Sequence, residues 1–347
     1  MPQGHHRWYK ILKRFLPFIG LIVLAYILAT QVDFTDIASI FSTLNPFYIF
    51  LAFFACIPII LLVNIEWQLL LHQQGFHVSF LYSMKNLLIG FFYGFITPGG
   101  LGGYLQVVYL KQESGEPLPK CASNLITLHT IDFITLVSFA VCGGILLGNH
   151  FPLLLIIFVV LFLFSVALFI IFLKQDSSVP FIRRLLNTRL LRFIQNQFED
   201  PLETFFEQLP NLRSLILPFI ISILGWIVSF TEMYLISRMF NITIPYLPFI
   251  LMVSMANVVA LLPISIYGLG TREATLISLF SVYGVAHSTT VSLSLFWFAV
   301  VWLTPSVAGA VVTLHEHKRL APLKKQHDDE EKEKEKEAEE ETEKPSP

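Results

Sequence analysis

The chain has 347 residues, of which 54% are hydrophobic and 14% charged, with a formal net charge of -2. About a third of the charged residues lie beyond His327, so the rest is poorer still in charge, which excludes a soluble domain large enough to carry chemistry of its own. The charge balance, with no basic stripe interleaved with aromatics outside the membrane flanks, excludes nucleic acid as a partner; Cys56, Cys121 and Cys142 are too few and scattered for a disulfide or metal set.

A spanning helix needs about 20 predominantly apolar residues to cross roughly 30 Å of hydrocarbon, because its backbone polar groups must be satisfied internally there. In chain order, eight apolar segments reach or approach that length: Phe15 to Thr30, Phe47 to Leu71, Phe80 to Ile96, Ala122 to Leu147, Pro152 to Leu173, Leu215 to Ser237, Leu247 to Pro263, and Ala274 to Leu314, the last interrupted near Tyr283 and Gly284. The 33 phenylalanines suit a surface whose solvent is hydrocarbon. The first segment follows Arg7, Lys10, Lys13 and Arg14 but has no small-x-small cleavage site after it, so it reads as a retained helix rather than a signal peptide.

Basic residues crowd the N-terminus (1–14), the connector 174–213 and the flank that opens the tail 315–347. The positive-inside rule places all three in the cytoplasm, as expected for a multi-pass protein of the cytoplasmic (inner) membrane. The connection from Gln31 to Pro46 has Asp33 and Asp36 but no Lys or Arg, and fits the outside. The connector reads either as an interfacial helix or as a solvated linker, and the Glu/Lys run of the tail as disordered or briefly helical.

Parity then constrains the topology. Five apolar segments separate two cytoplasmic regions, which require an even number of crossings. The segment that fails to cross is Phe80 to Ile96, because it runs into Thr97-Pro98-Gly99-Gly100-Leu101-Gly102-Gly103, which cannot continue as a regular helix. Leu247 to Pro263 ends in a similar break, with Pro263, Ser265, Gly268 and Gly270. The expected fold class is therefore all-α and polytopic: about six full spans plus two broken, re-entrant elements within a membrane domain over 15–314. The two elements form an inverted pair of the kind transporters place around a midplane site.

Irregular backbone at membrane depth is tolerated where protein or a water-filled cavity surrounds it, so the two breaks point to a cavity. The alternative is that Gly90-x-x-x-Gly94 and the glycines after it merely let helices approach closely. After the second break a helix is expected to start near Thr271, its free N–H groups and Arg272 facing an anionic headgroup and Glu273 pairing with Arg272 or a substrate cation. Solvated charges at an interfacial helix start are the competing reading. Glu66, Asp132 and Glu232 also lie within apolar runs and mark an interior face. His129 and Asp132, three residues apart, share a helical face that permits a hydrogen bond, with either a structural or a proton-linked role. Glu66 is placed near the cytoplasmic end of its span and Glu232 near the outer end of its own.

At the two breaks the sequence resembles the transmembrane domain of the lysylphosphatidylglycerol synthase/flippase family. Leu262-Pro263-Ile264-Ser265-Ile266-Tyr267-Gly268-Leu269-Gly270-Thr271-Arg272-Glu273-Ala274, with Tyr283-Gly284-Val285 after it, is similar to that family's LPxSxxGxGxRE signature. Thr97 to Gly103, followed by Tyr109-Leu110, resembles its TPGGxGG motif. Gly103, Tyr104 and Gln106 stand where members often carry Glu and Arg; Leu128 and His129 stand where Glu and Arg precede the acid matched by Asp132, and Glu66-Trp67 where Arg-Trp is common.

The resemblance implies a lipid flippase or lipid-linked substrate transporter without the aminoacyl-transferase domain, hence no enzyme activity and no cofactor. Its expected partners are membrane lipids bearing anionic, aminoacylated or polyprenyl-linked headgroups. The competing class is a non-transporting accessory or scaffold subunit for envelope-synthesis enzymes that uses the acidic tail for contact. A homo-oligomer fits either class.

Overall fold

A computed structural model describes residues 19–32, 34–173, 209–262, 265 and 267–315. The basic N-terminus, most of the connector 174–213, nearly all of the tail and Pro263 lie outside the described residues. Among those described, every regular element is helical.

Among the described residues, five helices are long and apolar enough to cross a membrane, or six if a bent pair near the start counts as one span. The five are α3 (Pro46–Gln73), α6 (Leu118–Leu146), α7 (Pro152–Leu173), α8 (Ile216–Met239) and α11 (His287–His315). Each exceeds the 20 residues that a crossing needs. Local chemistry fixes their ends. Asn45 caps α3 by accepting from the Phe47 N–H, with Pro46 at the first helical position, where a missing N–H goes unnoticed. The far end closes when the Phe76 N–H bonds the Leu71 carbonyl and the Gly75 N–H bonds His72, with Gly75 at φ +73° and buried Leu71 and Phe76 in one apolar cluster.

α7 leaves Leu153, Ile156, Val160, Leu163 and Phe164 exposed, a surface suited to lipid. The main core lies instead where α3 packs on α8, and α6 on α9 (Tyr246–Ala260), around Phe230, Met252, Phe249 and Trp297. Gly143 makes the α6–α9 approach possible, since a Cβ there would lie 2.7 Å from the Leu251 carbonyl oxygen.

The first apolar segment is described from Ile19 onward. Its described part, α1 (Ile19–Thr30), is followed across a bend of 89° by α2 (Phe34–Thr43), in the stretch read from sequence as a connection. Asp36, Ser39, Ser42 and Thr43 keep α2 from registering as an apolar run, yet Ile37, Ile40 and Phe41 recur at helical spacing and pack against the cores. The interruption expected near Tyr283 is also a true break: α10 (Thr271–Phe280) is a separate short helix ahead of α11.

Both broken motifs turn the chain back on itself. α4 (Phe80–Phe95) leads through a 3₁₀ turn (Pro98–Leu105) into α5 (Gln106–Ser114). Tyr82 donates to the Tyr109 carbonyl and Asn86 to that of Gln106, while Gly103 faces Gly90, so the two arms run antiparallel. In the second hairpin Phe249 stacks on Phe280 at 5.3 Å and Ala260 abuts Gly268, which makes α9 and α10 antiparallel as well.

Candidate functional site

The first turn is held by Thr97. Its hydroxyl donates to the Tyr93 carbonyl at 2.8 Å and accepts from the Gly102 N–H at 2.6 Å, while Gly100 takes φ +71°. Gly102 lies so close to the Tyr93 carbonyl and the Thr97 hydroxyl that no Cβ fits. Pro98 and Gly99 open the 3₁₀ turn. Gln106 ties the arms together, its Nε2 donating to the carbonyls of Asn86 and Leu87 while its side chain fills the space that Gly90 leaves.

The second turn places Tyr267, Gly268 and Gly270 at positive φ. Ser265 and Thr271 share a hydrogen bond of 3.1 Å, and Thr271 also donates to the Gly268 carbonyl. Glu273 caps the helix start by accepting from the Gly270 N–H. Its other oxygen receives Nη2 of Arg272 at 3.0 Å and the Ser294 hydroxyl at 2.6 Å, and Arg272 Nε donates to Ser294 at 3.0 Å. The guanidinium carbon lies 5.4 Å from the ring centroids of both Trp297 and Phe298. Arg272 is 1% exposed and Glu273 0%.

The pairing of Glu273 with Arg272 is one of the two arrangements expected from sequence, and the N-terminus of α10 is engaged as well. The Gly270, Arg272 and Ala274 N–H groups bond Glu273, Gly268 and Gly270, and the arginine is neutralised by its neighbour. A buried cation is stable only when paired and hydrogen-bonded, and here all its partners come from the chain itself.

The two turns touch. Gly94, in the last turn of α4, abuts the Tyr267 hydroxyl so closely that no Cβ fits between them. The Tyr267 ring lies 6.1 Å from Phe95 and 4.6 Å from Trp302. Close approach through Gly90 and Gly94 and a broken backbone therefore occur together, where sequence reasoning held them as alternatives. Just after Trp297, α11 widens into a π turn (Ala299–Leu303) that contains Trp302, a feature frequent at functional sites. Both indole N–H groups, and the Asn257 amide one turn before the second break, are buried without a partner among the described residues.

His129 and Asp132 do not pair with each other. Asp132 accepts from Ser222 of α8 at 2.9 Å, and the His129 ring lies edge-on to Tyr104 of the first hairpin at 5.3 Å. Glu232 lies two-thirds of the way along α8, 5% exposed, and neither carboxylate oxygen has a partner among the described residues. Glu66, read from sequence as part of an interior face near the cytoplasmic end of its span, is 1% exposed. Ser294 and Ser222 escaped notice in sequence, although buried Thr290, Ser292 and Ser294 within an apolar helix were a usable signal.

Helices of spanning length enclosing two glycine-broken hairpins, with ionisable groups buried among them, define a polytopic all-α membrane protein. The profile of the lysylphosphatidylglycerol synthase transmembrane region matches residues 15–309, and the chain belongs to that family. It is similar to UPF0104 membrane proteins of archaea. That of Methanothermobacter thermautotrophicus is 22% identical over 88% of this chain and 93% of its own length. Those of Methanocaldococcus jannaschii and Pyrococcus horikoshii are 21% and 23% identical, over 85% and 89% of this chain and 90% and 99% of theirs.

Proposed function

We propose that the chain is a lipid flippase of the cytoplasmic membrane, moving a phospholipid, an aminoacyl-phospholipid or a polyprenyl-linked glycolipid between leaflets. The observation that carries this reading is the meeting of two helical hairpins at Gly94 and Tyr267 beside a buried arginine. Irregular backbone of this kind needs a protein or aqueous lining, which a polar headgroup can use while its acyl chains stay in lipid. On separation of the turns, Arg272 would exchange Glu273 for a phosphate oxygen and keep its charge balanced throughout. The unpartnered N–H groups of Trp297, Trp302 and Asn257 would supply further donors to the same oxygens.

The test is translocation of headgroup-labelled lipids in proteoliposomes containing the purified chain alone, followed with an impermeant quencher. Ordinary phospholipids, aminoacyl-phosphatidylglycerol and polyprenyl-phosphate sugars are compared. Faster movement of one class, lost in Arg272→Ala, supports the reading. Movement of none, in protein shown to be folded, overturns it in favour of an accessory subunit for envelope synthesis.

A further inference from the structure

The described part of the first helix lies against the second break. α1 and α10 run side by side in parallel register: Gly20 meets Gly270, and Ile27 shares an apolar cluster with Ile277. No Cβ fits at Gly20, where Ser265 and the Leu269 carbonyl intervene, nor at Gly270, which abuts the Gly20 carbonyl. Ile27 and Ile277 pack with Val291 of α11 in a cluster separate from the main core, with Ala274 and Leu295 at its edge. α1 thus lies over the seam between α10 and α11, which Ser294 and Glu273 close from within by their hydrogen bond.

Little fastens this cover. Gly20 and Ile27 are the buried residues of α1, while Ile22 and Tyr26 are 67% and 61% exposed. Thr30 bonds the Tyr26 carbonyl inside the helix, and no hydrogen bond ties α1 to α10 or α11 among the described residues. The bend of 89° means that no continuous helix couples α1 to α2. In hydrocarbon, helices gain nothing by hiding apolar surface from the solvent, so close packing at the glycines and at Ile27 is what retains α1. A lipid acyl chain offers Ile277 and Val291 the same apolar surroundings that α1 does.

We infer that the seam between α10 and α11 is a binding site for a lipid acyl chain, and that α1 is its displaceable cover. The chain takes the place of α1 along Ala274, Ile277, Val291 and Leu295, next to Ser294 and hence to the buried ion pair. That this lipid is cargo rests on the transport reading. The acyl-chain site does not.

Photolabelling separates the two. The full chain is reconstituted in vesicles containing a phosphatidylcholine with a diazirine on its acyl chain, irradiated, and its adducts are mapped by mass spectrometry. Val291 and Ile277, 0% and 7% exposed, are expected to carry adducts, whereas Phe230 and Met252, buried in the main core, carry none. Leu153 and Val160 on α7 report ordinary lipid contact. Gly20→Leu wedges α1 away from the second break and should raise the adducts at Val291 and Ile277 by about tenfold, the population change that an overpacking penalty of ordinary size produces. The wild-type comparison needs no substitution, so a variant that fails to fold leaves it decisive. Val291 and Ile277 as silent as Phe230 and Met252, with α7 labelled, overturn the inference, as does an unchanged pattern in folded Gly20→Leu. Labelling at the seam without lipid translocation keeps the site and removes the transport reading; translocation with a silent seam does the reverse.

Discussion

Arg272 donates to the carboxylate of Glu273, its immediate neighbour in sequence, at 3.0 Å, and Ser294 from α11 bonds both. Adjacent residues of opposite charge are thus neutralised on a single turn of α10 and fastened to α11. Removing either partner leaves the other charged, buried and alone. Arg272→Met and Glu273→Leu should each lower stability by about 3–5 kcal/mol. The double variant should lose much less than the sum, because both unpaired charges vanish. Thermal unfolding in detergent, followed by tryptophan fluorescence, gives the cycle; additive losses would show that the pair is not energetically coupled.

Ser294→Ala is a milder probe of the same network. It removes one donor to Glu273 and one acceptor for Arg272 Nε without touching the ion pair. The expected loss is about 1–3 kcal/mol, smaller than for either charged residue. A loss as large as that of Arg272→Met would mean that the hydroxyl, not the charge pair, anchors α10.

Contact between the hairpins is open to a rescue test. Gly94→Ala places a methyl against the Tyr267 hydroxyl and should cost about 1–3 kcal/mol by overpacking. Tyr267→Phe removes the obstructing oxygen, so the double variant should regain most of the loss. If Tyr267→Phe brings no recovery, the two turns do not meet as described.

Gln106 joins the arms of the first hairpin through two carbonyls, both on α4. Gln106→Ala should raise amide hydrogen exchange through 80–114 while leaving 271–280 protected. Equal acceleration in both hairpins would show that they open as one unit.

The spanning helices were legible because hydrocarbon demands long apolar runs, and α3, α6, α7 and α8 meet that demand within a few residues of the sequence boundaries. Both breaks were legible for the opposite reason, since Thr97 to Gly103 and Leu262 to Gly270 cannot continue a helix. What escaped was amphipathic or long-range. α2 hides its buried stripe behind Asp36, Ser39 and Ser42. The partner of Asp132 is 90 residues away in sequence, and its spacing from His129 favoured a nearer but unused neighbour. Arg272 and Glu273 were singled out correctly as a charged pair beside the break, but no local pattern reveals that Ser294 and two aromatic rings close over them.

Tyr267 adopts φ +49°, a left-handed conformation that disfavours an L side chain by about 1–2 kcal/mol and that glycine would adopt freely. Two of the next three residues are glycines at positive φ, so the local backbone offers no reason for an aromatic to stand among them. A tyrosine at that place must recover through its ring what its backbone loses. The ring reaches Phe95 on the first hairpin and Trp302 within the π turn, so the least comfortable residue of the second break is also the one that joins both hairpins to α11.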